Sequence, residues 1–335
     1  MRSGVLCAGS IVVDVGKVID AYPAQERIAM VESVTLSTGG PALNLAVDLA
    51  HLGAPFPLAV AGVVGEDGYG DLVLAALDGD GIDTSRIRRS AEAATSFTDA
   101  MVVRDGGSRT FFHHVGANDL LVEEDVDLAS TSARILHMGA PGLHPTMDAG
   151  LGWAVVLAAA QAAGMRTNLE LVSLAPEQIR TVALTCLPHL DSIVVNEIEA
   201  CALAAVPVPE TGLDGAVDWA AMERVATRLV ELGVGTLAAV HFPSGCVAAA
   251  PGGLLWRQGS VRLPRAEIRS ATGAGDAFAS GVVLGLHEGW GVPDCLRAGV
   301  SVAAACLRGA GTSDGVLPLP DCLALGERYG FRPTT

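Results

Sequence analysis

The sequence predicts an α/β protein of three layers, in which helices cover both faces of a mostly parallel central sheet and a small β-sheet forms a lid. Half of the 335 residues are apolar, which suffices to bury one large core. From Arg134 onward, short apolar strands alternate with helical stretches, the order that produces parallel sheets. Two β-rich stretches, at about residues 15–36 and 96–115, have no helices to cover them, so we expect them to pair as a separate sheet.

We expect a single domain over residues 1–335, with the lid as part of it. The chain contains no internal repeat, low-complexity tract or flexible linker. A turn between the two strands of the second β-rich stretch is predicted at Asp105, Gly106 and Gly107. Because a lid sheet cannot bury both of its faces within one chain, two lids are expected to pair in a homodimer.

The charge and cysteine content exclude several functions. The formal net charge is −16, and Lys17 is the only lysine. Nucleic acids and anionic membranes are held by clustered Lys and Arg, so neither is expected as a partner. The seven cysteines are scattered and include no C-x-x-C pair, which indicates reduced thiols instead of disulfides or a zinc site. Without a signal-peptide pattern or a membrane-spanning stretch, a cytoplasmic location is expected.

An acid, a glycine pair and an asparagine within the first 44 residues are candidates for binding a small molecule. The apolar residues 5–8 predict a buried strand, and Asp14 follows shortly after it. A carboxylate at that place can accept hydrogen bonds from two neighbouring hydroxyl groups of a small molecule. Gly39 and Gly40 open a predicted helix and let the backbone approach a ligand closely, while Asn44 on that helix offers both a donor and an acceptor.

The strongest local signal is the run Thr272-Gly273-Ala274-Gly275-Asp276-Ala277-Phe278, a glycine-rich turn that opens directly into a helix. Free N–H groups and the helix dipole at such a turn can hold phosphate oxygens without a lysine. An acid at the same position can accept the proton of a hydroxyl group as its oxygen attacks phosphorus. The simpler interpretation is that Asp276 caps the helix, as Asp commonly does.

Three further acids and amides lie where strands end. Asn196 and Glu199 occur where a strand gives way to a helix, and such an oxygen-rich pair suits either a hydrated magnesium ion or a helix cap. Glu170 ends the strand RTNLE at the edge where ligands of parallel sheets bind. Substrate contact, shaping of a metal site and an ordinary surface acid all remain open for Glu170.

Together these segments resemble the PfkB family, the ribokinase-like carbohydrate kinases. The run at 272–278 resembles the family signature that carries the anion hole and the base. The resemblance extends over nearly the whole chain through four more segments: Gly9 to Asp14, Gly39-Gly40 with Asn44, Gly62 to Asp67 with Gly70, and Asn196 to Glu199.

The resemblance implies a three-layer ribokinase-like fold and a kinase that moves the γ-phosphoryl group of ATP to a hydroxyl group. In that role Asp276 is the base, and the amides of Gly273, Ala274 and Gly275 form the anion hole. The implied acceptor-binding residues are Asp14, Gly39, Gly40, Asn44 and Glu170. The implied nucleotide-binding residues are Asn196, Glu199, Gly245 and Thr272, with Mg²⁺ held by Glu199 through water.

The sequence departs from the family pattern in three places. Arg269, Ser270 and Ala271 stand where the family has an acid and a hydroxyl residue, which argues against a monovalent-cation site. The stretch 240–245 keeps only its final glycine, Gly245, of the nucleotide pattern T-x-G-x-x-G. Pro41-Ala42 replaces the lysine–glycine pair of ribokinases proper, so ribose is not the default acceptor.

The identity of the acceptor is left open among a hexose, a pentose, a keto-deoxy sugar acid and a nucleoside, with a sugar as our expectation. The acidic composition disfavours an already phosphorylated acceptor, although Arg104 or Arg109 on the lid is able to hold a phosphate. A non-catalytic sugar or nucleotide sensor is the rival from another class, and an intact Asp276 argues against it. The dinucleotide-binding motif of dehydrogenases, G-x-G-x-x-G, lacks its third glycine here, because Phe278 stands at that position. A P-loop needs a lysine followed by Ser or Thr, and it is excluded because Lys17 is followed by Val18.

Overall fold

The computed structural model describes residues 2–104, 109–213 and 217–335 and places their strands in two sheets. The strands are β1 (Val5–Gly9), β2 (Val12–Ile19), β3 (Val31–Gly39), β4 (Leu58–Gly65), β5 (Asp83–Ser90), β6 (Phe97–Val103), β7 (Arg109–His114), β8 (Ile135–Gly139), β9 (Arg166–Glu170), β10 (Ser192–Asn196), β11 (Leu237–Phe242), β12 (Gly245–Ala250) and β13 (Leu254–Gly259).

The helices are α1 (Pro41–His51), α2 (Gly68–Gly79), α3 (Pro145–Asp148), α4 (Gly152–Ala162), α5 (Pro176–Ala183), α6 (Glu197–Ala204), α7 (Trp219–Glu231), α8 (Ala274–Glu288), α9 (Val292–Cys306) and α10 (Leu319–Tyr329). None of those helices, which lie in the described ranges, has the length and apolar character needed to cross a bilayer.

The large sheet has the strand order β13-β12-β11-β10-β9-β8-β1-β4-β5 and is parallel from β11 to β5. Only the β11–β12–β13 edge is antiparallel, and the sequence analysis did not predict that hairpin. Alternate residues of β1 face two different cores: Val5 and Cys7 pack with α1, α8 and α9, whereas Leu6 and Ala8 pack with α4 to α7. The three-layer, mostly parallel prediction is therefore confirmed.

Helices α8 and α9 pack closely because their contact consists of small residues. A Cβ added at Gly281 would lie 2.8 Å from the backbone nitrogen of Gly299, and one at Gly299 would lie 2.7 Å from the ring of Phe278. The Ala- and Gly-rich segments thus form two buried helices, as predicted. This packing fixes the start of α8, where the glycine-rich turn lies.

The small sheet forms the lid, with the order β3-β2-β6-β7. The first of these strands along the chain, β2, begins at Val12, three residues earlier than predicted. Val12 and Val13 are buried and continue the strand pattern into Asp14. Asp14 therefore lies inside a lid strand and not in a turn after β1. The predicted turn at 105–107 lies outside the described residues.

One buried asparagine ties the lid to the main sheet. Asn118 Oδ1 accepts a hydrogen bond from the backbone N–H of Ile11 at 3.2 Å, and its Nδ2 donates to the Ser10 hydroxyl at 3.1 Å. Its backbone N–H donates to Ser96 Oγ, also at 3.1 Å. The two places where the chain enters the lid, before β2 and before β6, are thus held together.

Candidate active site

The glycine-rich turn forms the start of α8. Gly273 precedes the helix with φ of 81°, a left-handed conformation that suits glycine. A Cβ at this residue would lie 2.1 Å from the carbonyl oxygen of Thr312, so both the conformation and the space require glycine. Ala274 N–H donates only a long bond of 3.4 Å to Ala271 O. The turn thus brings backbone amides and the positive end of the α8 dipole to the carboxyl edge of the sheet.

Asp276 lies in the first turn of α8 and contacts side chains from two other elements. Its Oδ2 accepts a hydrogen bond from Asn44 Nδ2 of α1 at 2.5 Å. The Glu170 carboxyl at the end of β9 also lies within hydrogen-bonding range of it. Burial raises the pKa of Asp276 above its ordinary value, and these two hydrogen bonds only partly offset that effect.

Asp14 and the predicted glycine pair form one contact. A Cβ at Gly39 would lie 2.2 Å from Asp14 Oδ2, so the missing side chain makes room for this carboxyl group. Gly40 has φ of 94° and approaches the carbonyl oxygen of Ser10 where α1 begins. Burial, and then the charge of Asp276, raise the pKa of Asp14 to about 6.

His113 of the lid faces the same way as Asp14. Asp14 pairs with Thr98, which pairs with His113, and residues opposite each other in neighbouring strands project to one face. His113 Nδ1 lies 3.0 Å from Thr98 Oγ1, and its buried Nε2 has no hydrogen-bond partner within the described part of the chain.

Glu170 is buried below Asp276 and continues into a row of polar side chains inside the sheet. Its Oε2 lies 3.6 Å from His137 Nε2 of β8. Asn168 Nδ2 lies 2.8 Å from His137 Nδ1, and Ser192 Oγ donates to Asn168 Oδ1 at 2.8 Å. Burial, followed by the charge of Asp276, raises the pKa of Glu170 well above its ordinary value. The surface-acid interpretation of Glu170 is therefore wrong, and the other members of the row were not predicted.

Asp48 is a second buried acid that the sequence analysis missed. It lies on α1, one turn after Asn44, and is fully buried. Burial raises its pKa well above the ordinary value, with Ser313 opposing and the charge of Asp276 adding to the rise. The available signal was an acid within the apolar run N-L-A-V-D-L-A, where amphipathic spacing gives no reason for one.

Asn196 and Glu199 form a reciprocal cap at the start of α6. Asn196 Oδ1 accepts from Glu199 N–H at 2.9 Å, and Glu199 Oε2 accepts from Asn196 N–H at 3.1 Å. Ser173 Oγ donates to Glu199 Oε1 at 3.1 Å. Burial raises the pKa of Glu199 to about 7. Among the residues placed by the structure, no three His, Cys, Asp or Glu side chains form a metal site, and the water-mediated role of Glu199 stays a prediction.

Gly245 is the first residue of β12, and Thr272 directly precedes the glycine-rich turn. Gly245 begins β12, where a Cβ would lie 2.3 Å from Gln258 O, so its hairpin packing alone requires glycine. The carbonyl oxygen of Thr272 lies 3.6 Å from Cys306 Sγ. Their nucleotide contacts stay predictions. His241 of β11 was missed: its ring would be 3.2 Å from a Cβ at Gly275, and burial lowers its pKa to about 4.

The comparison with protein families decides the relationship of this chain. The family described as pfkB family carbohydrate kinase matches residues 3–319. The chain belongs to this family. The 5-dehydro-2-deoxygluconokinase of Clostridium beijerinckii is 25% identical over 304 residues, covering 88% of this chain and 86% of that protein. The adenosine kinase of Schizosaccharomyces pombe is 25% identical over 322 residues, covering 90% and 87%.

The fold is shared with solved kinases of the family. The structure of Arabidopsis thaliana ribokinase complexed with ribose and ATP has a TM-score of 0.80 to this chain at 22% identity, and it covers 97% of this chain and 99% of that one. The predicted ribokinase-like fold and the predicted family are therefore confirmed. Since the named relatives act on different acceptors, the comparisons do not select one for this pfkB family member.

The two ends of α8 give a matched test of the turn. Gly273 and Gly289 both have positive φ, but only at Gly273 would a Cβ collide with another atom. We expect Gly289→Ala to cost about 1 kcal/mol of unfolding free energy and to keep full activity. Gly273→Ala should lower ATP-dependent turnover by about 100-fold or more, because the amides move from their positions. Equal turnover in the two variants would show that the turn does not bind the reacting phosphate.

The raised pKa of Asp14 predicts how stability depends on pH. Folding raises this pKa from 3.8 to about 6, so the folded chain binds a proton that the unfolded chain has already released in that interval. The contribution of the Asp14 carboxyl group to the free energy of unfolding therefore falls as the pH rises from about 4 to 6. At pH 7.5 the free energy of unfolding of Asp14→Asn should exceed that of the parent by on the order of 1–3 kcal/mol. At about pH 4 the two free energies of unfolding should be equal.

Denaturant unfolding at both pH values measures this difference. Asp294→Asn, an exposed acid in the first turn of α9, is the control and should change stability by less than about 0.5 kcal/mol at either pH. A constant difference between Asp14→Asn and the parent across this pH range would contradict the prediction.

Proposed function

We propose that this chain is an ATP-dependent kinase that transfers the γ-phosphoryl group to a hydroxyl group of a sugar or sugar-like molecule. The observation that carries the proposal is the position of Asp276. It lies in the first turn of α8, beside the glycine-rich turn, and Asn44 Nδ2 donates to it at 2.5 Å. A carboxylate and a set of phosphate-binding amides thus act on the same small volume.

In this proposal Asp276 accepts the proton of the acceptor hydroxyl while that oxygen attacks the γ-phosphorus. Burial raises the pKa of Asp276, which makes its carboxylate a stronger proton acceptor and suits this role. Asn44 fixes the orientation of the carboxylate. The amides of Gly273, Ala274 and Gly275 stabilise the charge that develops on the transferred group.

The nucleotide lies, in this proposal, on the side of α6 and β12, where Asn196, Glu199, Thr272 and Gly245 were predicted to contact it. Glu199 is held at the start of α6 by its reciprocal cap with Asn196 and by the Ser173 hydroxyl. The cap leaves lone pairs on the Glu199 oxygens, which fit water of a hydrated Mg²⁺. A bound Mg²⁺ ion would neutralise part of the negative charge of the triphosphate.

The acceptor lies between the lid and the sheet, against Asp14, Gly39, Gly40, Asn44 and Glu170. A nucleoside is the second candidate acceptor, and Phe111 offers it an aromatic contact. Phe111 pairs with Ala100, which pairs with Gly16, so its ring projects from the pocket face of the lid beside small residues, and it is 57% exposed. Such a ring can stack on a heterocyclic base as well as on the apolar face of a sugar.

Replacing the base tests the proposed function against a non-catalytic sensor. Asp276→Asn keeps the size of the side chain and its helix position but removes the proton acceptor. We expect turnover, measured as ADP release with a panel of sugars and nucleosides, to fall by roughly two to four decades. ATP affinity, measured by calorimetry, should remain within about threefold of the parent.

Asp294→Asn is the control for this experiment too, because it makes the same change in the first turn of the neighbouring helix. It should leave both turnover and ATP affinity unchanged. Near-normal turnover in Asp276→Asn would remove Asp276 from its role, and ATP binding by the parent without turnover on any acceptor would establish a sensor.

The outer face of the lid is the proposed interface of a homodimer. Val34, Leu36 and Phe112 project from the face opposite Asp14 and are each at least half exposed. The Lys17–Asp99 ion pair lies on the same face, among these exposed apolar side chains. A sheet face of this kind is covered most simply by a second copy of itself. The proposed partner of this face is therefore the lid of a second copy of the chain.

Light scattering at micromolar concentration should give the mass of a dimer. The double variant Leu36→Glu with Phe112→Glu should give a monomer, because charges would be buried in the interface. Leu254→Glu, an exposed leucine on the edge strand β13, is the matched control and should remain dimeric. A parent protein that scatters as a monomer would contradict the interface.

A further inference from the structure

A row of buried polar side chains lies beneath α8, on the face of the large sheet that this helix covers. His137 of β8 pairs in register with Asn168 of β9, and Asn168 pairs with Ser192 of β10, so the three side chains project to one face. Asn168 and Ser192 line a small cavity together with Val283 of α8. The three polar residues are at most 5% exposed. A polar layer therefore lies within the apolar core under the helix that carries the proposed base.

The hydrogen bonds of this row point in one direction. Ser192 Oγ donates to Asn168 Oδ1 at 2.8 Å, so the amide oxygen of Asn168 is turned away from His137. Asn168 Nδ2 lies 2.8 Å from His137 Nδ1, and an amide nitrogen can only donate. His137 Nδ1 therefore accepts, which places the proton of the neutral ring on Nε2. Burial lowers the pKa of His137 to about 3, which keeps the ring neutral.

The protonated Nε2 of His137 faces Glu170. Glu170 Oε2 lies 3.6 Å away, slightly beyond the length of a hydrogen bond. Both atoms are buried, and neither has a hydrogen-bond partner among the residues that the structure describes. Leaving a buried donor and a buried acceptor unpaired is costly. Because the two atoms face each other across this short gap, a small side-chain movement pairs them, and Glu170 Oε2 then accepts from the ring.

The carboxyl group of Glu170 also lies within hydrogen-bonding range of Asp276. Two carboxyl groups hydrogen-bond to each other only when one of them carries a proton. Asp276 already accepts from Asn44 Nδ2 at 2.5 Å, a bond that favours its ionised form, so the proton belongs on Glu170. With Oε2 accepting from His137, the other oxygen of Glu170 carries this proton and donates it to Asp276. The base then receives hydrogen bonds from two sides.

We propose that His137 is a positioning residue: its Nε2–H holds Glu170 as a neutral acid whose hydroxyl group donates to Asp276 and orients the base. The inference rests on the proposed kinase function and deepens it by adding a fully buried residue to the site. When Asp276 takes the proton of the acceptor hydroxyl, that O–H bond breaks and a new O–H bond forms on Asp276. The row cannot pass this proton on, because its members already donate towards Asp276.

The tautomer of His137 tests the row without any need for turnover. In protein labelled with ¹⁵N-histidine, the two ring nitrogens have different nuclear magnetic resonance shifts according to which one carries the proton. We expect the His137 signals, assigned by their loss in His137→Gln, to show a neutral ring protonated on Nε2. A ring protonated on Nδ1 would overturn the proposal, because Glu170 would then donate its proton to His137 and not to Asp276.

Two substitutions separate the donor of His137 from its volume. Glutamine places an N–H donor near the position of Nε2, whereas leucine fills the space without a donor. We expect His137→Leu to lower kcat by about tenfold or more and to leave KM for ATP and acceptor within about threefold, because a misoriented base slows the chemical step. His137→Gln should have a kcat at least about threefold higher than that of His137→Leu.

Met138→Leu is the control for both variants, because Met138 is the next residue of the same strand and packs in the opposite core. This change conserves volume and should leave kcat unchanged. Equal kcat values in His137→Gln and His137→Leu would show that the donor of His137 does not act on the base.

The far end of the row provides a test that leaves His137 in place. Ser192→Ala removes the hydroxyl group that fixes the Asn168 amide. A population of His137 protonated on Nδ1 should therefore appear, and kcat should fall by about twofold to fivefold. Ser301→Ala is the matched control, since the buried Ser301 hydroxyl on α9 has no partner in the described part of the chain. It should change neither the tautomer nor kcat. A parent-like spectrum and kcat in Ser192→Ala would contradict the proposal, whether or not His137→Leu folds.

The inference and the proposed function fail in different ways. A ring of His137 protonated on Nδ1, together with ADP release, would refute the role of His137 while supporting the kinase. A ring protonated on Nε2, without ADP release on any acceptor, would support the hydrogen-bond row and refute the kinase. The predicted tautomer, together with the predicted order of the two His137 variants, supports both.

Discussion

The hydrogen bond between Asn44 and Asp276 joins two parts of the chain that are 232 residues apart. It connects the first helix, α1, to α8, the helix that starts at the glycine-rich turn. Each helix is preceded by a glycine with positive φ, Gly40 or Gly273, packed against a carbonyl oxygen of another segment. The two helix starts therefore have fixed positions, and the carboxylate between them has a defined direction. In the proposed function, acceptor binding and phosphate binding both depend on this one contact.

The same arrangement has a cost in stability. Asp14, Asp48, Glu170 and Glu199 are buried or partly buried near Asp276, and burial is the largest cause of the raised pKa of each. Ionising several of them together is unfavourable, because their charges repel in a medium that screens poorly. The apolar cores on both faces of the sheet and the close α8–α9 contact offset that cost. Such opposition between local stability and activity is common at functional sites.

Local patterns predicted the parts of the fold and site that depend on neighbouring residues. Strand and helix alternation predicted the layered sheet, and the glycine positions predicted the helix starts at Pro41 and Ala274. Patterns of that kind contain their own physical reason, such as a positive φ at Gly273. The bounds of the lid were less accurate, since Asp14 proved to lie inside β2.

Contacts between distant segments were beyond the sequence analysis. His137 and His241 became recognisable only when other strands and helices were placed around them. Nothing in the residues beside His137, for example, indicates that Glu170 lies 3.6 Å away on the next strand. The β12–β13 hairpin was missed for a related reason: its strands follow a parallel strand without a helix, against the alternation used to predict the rest.

Helix capping and chemistry are not competing explanations at this site. Glu199 caps α6 through Asn196, and that cap is what holds its carboxyl group near Asp276. Asp276 likewise lies in the first turn of its helix, where an acid is favoured by the helix dipole, and its carboxyl group accepts a hydrogen bond from Asn44. In a parallel sheet, helices that follow strands begin at the carboxyl edge, so their free amides and their capping acids collect there. The single lysine of the sequence, Lys17, is paired with Asp99, and the polar groups of the proposed site are concentrated at the edge where this geometry supplies them.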